Sequence, residues 1–200
     1  MFDIPIVLFI FKRLKATVII DQIAKIRPEK LYIVADGPRN QKESEEVANC
    51  RSAVEKHITW SCTVVKNYAD VNRGVYKNIG EGAKWVFQNE DRAIFLEDDN
   101  MPEITFFYYC KELLQKYECN EQVLWICGTN YLEKYETKNN YDYLFTKHML
   151  PCGWASWSKK FTKYYDGCLL GVNRYCVKDF KKQYYPKVLY YTMRDRKSVV

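Results

Sequence analysis

Histidine is scarce in this chain of 200 residues, and its eight cysteines include no C-x-x-C pair. The two histidines, His57 and His148, lie far apart in the sequence and near no cysteine group with the spacing of a zinc site. No apolar run approaches the roughly 20 residues that a membrane-spanning helix needs. The sequence therefore predicts neither a structural zinc site nor a transmembrane helix.

The amino-terminal residues lack the pattern of a signal peptide. The first apolar run, Ile4 to Phe11, is short and follows Asp3 rather than a basic residue. We therefore expect a cytoplasmic protein whose cysteines are reduced and mostly buried thiols.

The net positive charge of the protein comes from the end of the chain. Residues 1–157 carry 20 Lys and Arg against 22 Asp and Glu, whereas residues 158–200 carry 11 against 3. Such a basic stretch is suited to contact anionic headgroups at the inner face of the membrane or an anionic acceptor. A solvated basic face is the alternative. Nucleic acid is not expected as a partner, because no recognised binding module accompanies the basic residues.

Strand and helix patterns alternate along residues 1–157. Segments whose apolar residues have helical spacing lie between the predicted strands. Asn100 is expected to cap the helix after the fourth strand. The predicted strands are Ile4–Phe11, Leu31–Ala35, Trp60–Val65, Arg92–Leu96 and Val123–Cys127, with short antiparallel strands within Asn139–Phe145. This order favours an α/β fold with a mainly parallel sheet flanked by helices. We expect one domain over residues 1–157 and a basic extension over 158–200.

Polar residues follow three of the predicted strands. Lys12-Arg13 follows the first strand, Asp36–Arg39 the second and Glu97–Asp99 the fourth. Parallel strands end at the same edge of a sheet, and ligands of such sheets bind outside that edge. The three groups are therefore expected to converge there.

The acidic motif Glu97–Asp99 is the strongest candidate for a metal site. Adjacent carboxylates repel each other unless a divalent cation lies between them. Mg²⁺ or Mn²⁺ would complete its shell with phosphate oxygens and stabilise charge on a leaving diphosphate. The alternative is that acidic residues simply precede a helix, whose dipole favours them.

Three further segments are ambiguous from the residues alone. Asp36 is suited to accept hydrogen bonds from a base or ribose and Gly37 to let a ligand approach, or both belong to an ordinary turn. Asn72-Arg73 opens a helix at a position that suits phosphate, or forms a capping turn. The tryptophans of Cys152–Trp157 suit a sugar surface, or a hydrophobic plug that starts a helix.

Five segments in this order and spacing resemble a known family. They are PIVLFIFKR (5–13), LYIVADGPR (31–39), NRGVYKNIGEGAKWVF (72–87), AIFLEDDN (93–100) and GWASW (153–157). Over Ile4 to Phe161 the sequence resembles bacterial glycosyltransferases of the GT-A fold, the family-2-like group often labelled hemolysin-like, which is distantly similar to N-acetylglucosaminyltransferase I.

The resemblance implies a nucleotide-diphospho-sugar transferase fold and a set of site residues. Asp99, together with Asp98, would ligate the metal as part of a DxD-type motif, with Glu97 and Asp98 also near ribose and metal-bound water. The other nucleotide-sugar contacts would come from Phe11, Arg13, Asp36, Asn72 and Arg73. Gly153 and Trp154 would form part of the acceptor or donor-sugar wall.

The implied reaction is metal-dependent transfer of a sugar from a nucleoside diphosphate-sugar to a glycan or lipid-linked saccharide, as in cell-surface polysaccharide biosynthesis. The chain lacks the acidic Trp-Asp segment that relatives carry after the G-W-A-[ST]-W motif, so Asp142 and Asp166 are the weak candidates for a catalytic base. A non-catalytic or truncated nucleotide-sugar-binding module is the alternative. A sugar-phosphate nucleotidyltransferase is disfavoured, because Phe11–Leu14 contains no glycine.

Overall fold

The computed structural model describes residues 1–129, 142–147 and 149–167. Its contacts divide the chain into two units, Met1–Tyr165 and Asp166–Val200. The first unit extends beyond Trp157, where the sequence predicts a domain boundary, and includes one further helix. Most of the predicted basic extension, residues 168–200, lies outside the described residues.

The first unit is built around one six-stranded sheet. Its strands are β1 (Ile6–Ile10), β2 (Lys30–Ala35), β3 (Thr63–Tyr68), β4 (Arg92–Glu97), β5 (Ile126–Cys127) and β6 (Trp154–Trp157). Its helices are α1 (Ala16–Ile26), α2 (Gln41–Lys56), α3 (Val75–Val86), α4 (Ile104–Lys116) and α5 (Ser158–Tyr164). Every described helix falls short of the length and apolar content that crossing a bilayer requires.

The strand order is β3-β2-β1-β4-β6-β5, and the first four strands are mutually parallel. Strand β6 runs antiparallel to both of its neighbours, β4 and β5. This topology confirms the predicted α/β class with a mainly parallel sheet flanked by helices.

Two apolar layers cover the sheet. Ile6, Leu8 and Ile10 of β1 pack in a cluster with α1, α2 and α4, whereas Val7 and Phe9 pack in a second cluster with α3. Side chains alternate between the faces of a strand, so a strand covered on both faces is apolar throughout. All five residues of β1 are accordingly buried. The polar residues Lys12 and Arg13 follow after the strand has ended.

The ends of α1 and α2 follow from local chemistry. Helix α1 ends at Arg27, which has a left-handed backbone with φ of 47°, and Pro28 cannot continue a helix. Helix α2 begins after Asn40, whose side chain accepts a hydrogen bond from the backbone N–H of Glu43.

Several predicted boundaries are wrong. Strand β3 begins at Thr63 rather than Trp60, whose indole N–H bonds to the carbonyl of Pro28. Strand β5 contains only Ile126 and Cys127. Strand β6 was not predicted, because its four residues include Ser156 and form too short an apolar run to indicate a strand. Residues 142–147 contain no strand, and 139–141 lie outside the described residues.

Two predictions about individual residues are also wrong. Asn100 does not cap α4, which begins at Ile104 after Glu103. Of the six described cysteines, only Cys50 and Cys110 are buried; Cys119 and Cys152, for example, are exposed outside helices and strands.

Candidate functional site

Arg13 and the acidic motif meet at the carboxyl end of the parallel strands. Strands β1 and β4 are neighbours, with Phe9 in register with Glu97, so the residues after each strand emerge side by side. Arg13 Nη1 donates to Asp98 Oδ1 and to Asp99 Oδ2, each at 2.8 Å. The predicted convergence of these two groups is confirmed, and we call this edge the rim.

The two aspartates that share Arg13 differ in exposure. The side chain of Asp98 is 11% exposed, whereas that of Asp99 is 55% exposed. Burial raises the pKa of Asp98, although Arg13 and a backbone hydrogen bond from Phe11 oppose the shift. Burial, reinforced by Asp99 and Asp98, also raises the pKa of Glu97. The motif therefore offers one anchored carboxylate and one exposed to solvent.

Asn100 fixes the turn that carries these acids. Its Oδ1 accepts hydrogen bonds from the backbone N–H of Glu97 and of Gly153, both at 3.0 Å. Its amide nitrogen donates to Asp99 Oδ1 at 3.2 Å. Asn100 thus joins the acidic motif to the start of β6. The sequence shows no periodic signal for this role, because the contact to Gly153 spans 53 positions.

Asp36 follows β2 on the same edge but is enclosed by its own chain. Its Oδ1 accepts from the backbone N–H of Gly37 and Arg73, and its Oδ2 accepts from the N–H of Gly74 and the side chain of Asn72. These distances lie between 2.7 and 3.1 Å. The carboxylate therefore holds the loop that precedes α3, and its proposed contact with base or ribose has four internal competitors.

The segment 72–74 leads into α3, whose N-terminal cap is Gly74 without a side-chain hydrogen bond, and both interpretations of it stay predictions. Asn72 also donates to the carbonyl of Gly37, and Arg73 Nη2 donates to Asn67 Oδ1 at 2.9 Å. A Cβ at Gly37 would lie 2.4 Å from the carbonyl carbon of Val71. The neighbouring backbone therefore requires a glycine here, and the approach of a ligand at this position stays a prediction.

Two other basic residues at this end of the sheet are neutralised by Glu43. Lys12 Nζ lies 2.9 Å from Glu43 Oε1 and 2.8 Å from Glu46 Oε2. Arg39 donates to Glu43 from its guanidinium and its backbone N–H, and lies over the ring of Phe11. These bonds hold the pKa of Glu43 well below its usual range.

Trp154 does not form a sugar wall, which corrects the prediction from the sequence. It is 3% exposed and lies between Phe95 and Trp125, with ring centroids 3.9 and 3.8 Å away. Strand β6 pairs with both neighbours and carries both tryptophans into the core. The tryptophans are buried as the alternative holds, but they belong to strand β6 rather than to the start of a helix, and α5 begins only at Ser158.

A cleft of ≈ 1630 Å³ opens beside the acidic motif. Asp99, Asn100, Gly153 and Asp142 lie on its wall. The aromatic residues that line it are Phe106, Tyr109, Tyr117, Trp125, Tyr143 and Phe145. Of the two residues predicted to form a sugar wall, Gly153 lines this cleft and Trp154 does not. Asp166 belongs to the second unit.

A tyrosine pair lines the same cleft and was missed by the sequence analysis. The hydroxyl groups of Tyr117 and Tyr143 are 2.6 Å apart, and Lys116 Nζ donates to Tyr143 at 2.8 Å. These two hydrogen bonds, that from Lys116 first, lower the pKa of Tyr143. Residue 143 lies 26 and 27 positions from its two partners, so no local pattern in the sequence indicates this contact.

The acidic motif has the chemistry of a site for a hard divalent cation. Among the described residues, no group of three or more His, Cys, Asp or Glu is placed to hold a metal ion. Mg²⁺ and Mn²⁺ are, however, commonly held by one or two carboxylates, with phosphate and water completing the shell. Asp98 and Asp99 already direct oxygens at one cationic group, the guanidinium of Arg13, so the donor set fits.

No protein-family model matches the chain, and neither does any curated protein. Among solved structures it is similar to 4-diphosphocytidyl-2C-methyl-D-erythritol synthase from Anaerococcus prevotii. That likeness has a TM-score of 0.47 and 12% sequence identity, and it covers 80% of this chain and 75% of that chain. The function therefore has to rest on the residues of the site.

Proposed function

We propose that this protein is a metal-dependent glycosyltransferase that moves a sugar from a nucleoside diphosphate-sugar to a glycan or lipid-linked saccharide. One observation carries the proposal. Arg13, after the end of β1, places Nη1 2.8 Å from a carboxylate oxygen of each of two aspartates after the end of β4. One of them, Asp99, lies on the wall of a large cleft. Opposite charges beside a cavity suit a diphosphate, a cation and a second substrate.

The rim supplies groups for the donor. Asp99 and Asp98 would hold Mn²⁺ or Mg²⁺, which would neutralise the charge of the departing diphosphate. Arg13, 59% exposed, and Arg73 are placed in this proposal at the diphosphate. The nucleoside is assigned to Phe11 and to the loop 72–74, which Asp36 holds in place.

The cleft is assigned to the sugar and the acceptor. In an inverting transfer, Asp142 on the cleft wall would accept the proton of the acceptor hydroxyl. The acceptor oxygen then bonds to the anomeric carbon as the bond from that carbon to the diphosphate oxygen breaks. The released charge goes to the diphosphate, next to Arg13. We propose Asp142 over Asp166 as the base because it shares the cleft with Asp99.

Calorimetric titration of UDP-, GDP- and dTDP-sugars, with Mn²⁺ and with a chelator, tests donor binding. We expect one nucleotide to bind only with metal, and Asp99→Ala to abolish that binding while the variant stays folded. Asp21→Ala is the matched control, because Asp21 is 57% exposed and paired with His57. Equal donor affinity in the Asp99→Ala variant and the wild type would rule out the proposed site.

A binding module without turnover is the second candidate, because the contacts among Arg13, Asp98 and Asp99 suit donor binding whether or not transfer follows. It predicts metal-dependent donor binding with neither transfer nor hydrolysis of the donor. For an enzyme, Asp142→Asn is expected to preserve donor binding and to lower transfer by about a hundredfold or more, the usual contribution of a general base. Contact of the basic stretch with an anionic membrane surface is a separate proposal, which vesicle binding would test.

A further inference from the structure

Arg13 contacts the two carboxylates that the proposed metal needs. Its Nη1 lies 2.8 Å from an oxygen of Asp98 and 2.8 Å from an oxygen of Asp99. A single nitrogen shared by two carboxylates is placed much as a bridging cation would be. Metal and guanidinium therefore compete for the same oxygens, because each carboxylate oxygen has few lone pairs to offer.

The backbone of Arg13 is anchored while its side chain is accessible. Its carbonyl accepts hydrogen bonds from the N–H of Ala16 at 3.1 Å and from the thiol of Cys50 at 3.3 Å. Its side chain is 59% exposed. A change of side-chain rotamer, without movement of the loop, would thus release both aspartates.

The neighbouring cations have other partners. Lys12 and Arg39 bond to Glu43, and Arg73 bonds to Asn67. Among the ion pairs of the described residues, those that involve Asp98 or Asp99 are formed by Arg13. The competition with metal is therefore specific to this side chain.

We infer that Arg13 couples the binding of metal to the binding of the donor. Without nucleotide, Arg13 occupies the aspartates and weakens the binding of metal. A diphosphate gives the guanidinium a bidentate anionic partner, so Arg13 leaves the aspartates and the metal takes its place. Each ligand then strengthens the other by the same factor, as linkage requires. This inference rests on the proposed donor site and adds to it an order of preference: metal binds well only with nucleotide.

The test measures Mn²⁺ affinity by electron paramagnetic resonance of the free ion, with and without saturating UDP, GDP or dTDP. In Arg13→Ala we expect Mn²⁺ alone to bind about two- to fivefold more tightly than in the wild type, the range of a partly exposed ion pair. The factor by which nucleotide strengthens Mn²⁺ binding should fall to a similar extent. Circular dichroism checks that the variant is folded.

Arg13→Lys separates the bridge from net charge. Lysine keeps the charge but lacks the rigid fork of donors, so we expect its Mn²⁺ affinity to lie between those of the wild type and Arg13→Ala. Lys12→Ala removes a positive charge next to Arg13 in the chain, whose partners are Glu43 and Glu46, and should leave the affinity for Mn²⁺ alone unchanged.

The outcomes separate the coupling from the proposed function. If the wild type binds Mn²⁺ and nucleotide together but Arg13→Ala leaves the coupling factor unchanged, the inference is wrong and the donor site stands. If Lys12→Ala strengthens Mn²⁺ binding as much as Arg13→Ala does, the effect is one of general charge and the inference is again wrong. If the wild type binds Mn²⁺ neither alone nor with any of the three nucleotides, both proposals fail.

Discussion

Asp36 and Asp99 follow parallel strands at the same edge of the sheet, yet their surroundings are opposite. Asp36 is 5% exposed and accepts hydrogen bonds from three backbone N–H groups and one amide, all of its own chain. Asp99 is 55% exposed, and its partners are the polar ends of the Arg13 and Asn100 side chains.

The difference shows that position in an α/β fold does not by itself define a ligand site. Polar residues after a parallel strand lie at the ligand-binding edge, but some of them hold the edge together. A carboxylate surrounded by backbone donors shapes a loop, whereas one that meets an exposed cation beside a cleft can exchange partners. By this criterion we expect Asp36 to act as a positioning residue and Asp99 as a binding residue.

Replacing Asp36 is expected to give the largest effect on stability. Asp36→Ala removes the acceptor of three backbone N–H groups in a buried loop, and each donor left unsatisfied costs about 1–3 kcal/mol. Allowing for partial relaxation, we expect the free energy of unfolding to fall by about 3 kcal/mol. Urea denaturation measures the change.

Asp99→Ala is the partner of that experiment, since it removes an exposed carboxylate whose ion pair is worth at most about 1 kcal/mol. The comparison predicts a large loss of stability for one aspartate and a small one for the other. Similar losses in the two variants would show that the distinction between a positioning and a binding residue does not hold.

The sequence predicts the sheet well because β1, β2 and β4 are buried on both faces and read as continuous apolar runs. It also places Arg13 beside the acidic motif, because neighbouring parallel strands end together. Each strand is visible as a local apolar run. The shared edge then follows from one rule of topology, that parallel strands end on the same side of a sheet.

The roles of Asn100, Gly37 and Trp154 are not visible in the same way. Asn100 is held by the N–H of Gly153, Gly37 packs on the backbone of Val71, and Trp154 stacks on Phe95. Each contact joins residues distant in the sequence, and each residue type has an equally good local explanation as a cap, a turn or a sugar platform. Only tertiary packing decides between them.

Asn100 lies between the two extremes and sharpens the comparison. Asn100→Ala leaves the N–H groups of Glu97 and Gly153 without their acceptor and frees Asp99 from its amide partner. We expect a loss of about 1–2 kcal/mol in the free energy of unfolding. We also expect about tenfold weaker metal-dependent nucleotide binding, because a misplaced supporting residue typically costs 10–100-fold in metal affinity. Urea denaturation and calorimetry measure the two effects, and a loss of stability with full nucleotide affinity would make Asn100 purely structural.

Glu43 gives the smallest expected effect and separates charge from hydrogen bonding. Its side chain is 8% exposed, so it is buried like Asp36, but its partners include the more exposed cations Lys12 and Arg39. Because those partners hold the pKa of Glu43 far below its ordinary value of 4.5, the ionised form stabilises the folded state above that value, and this contribution is lost as the pH falls below it. The wild type should therefore exceed Glu43→Gln in stability at pH 7, and the gap in urea midpoint should narrow at pH 3.5. A gap of the same size at both pH values would mean that Glu43, like Asp36, acts through neutral hydrogen-bond geometry rather than through charge.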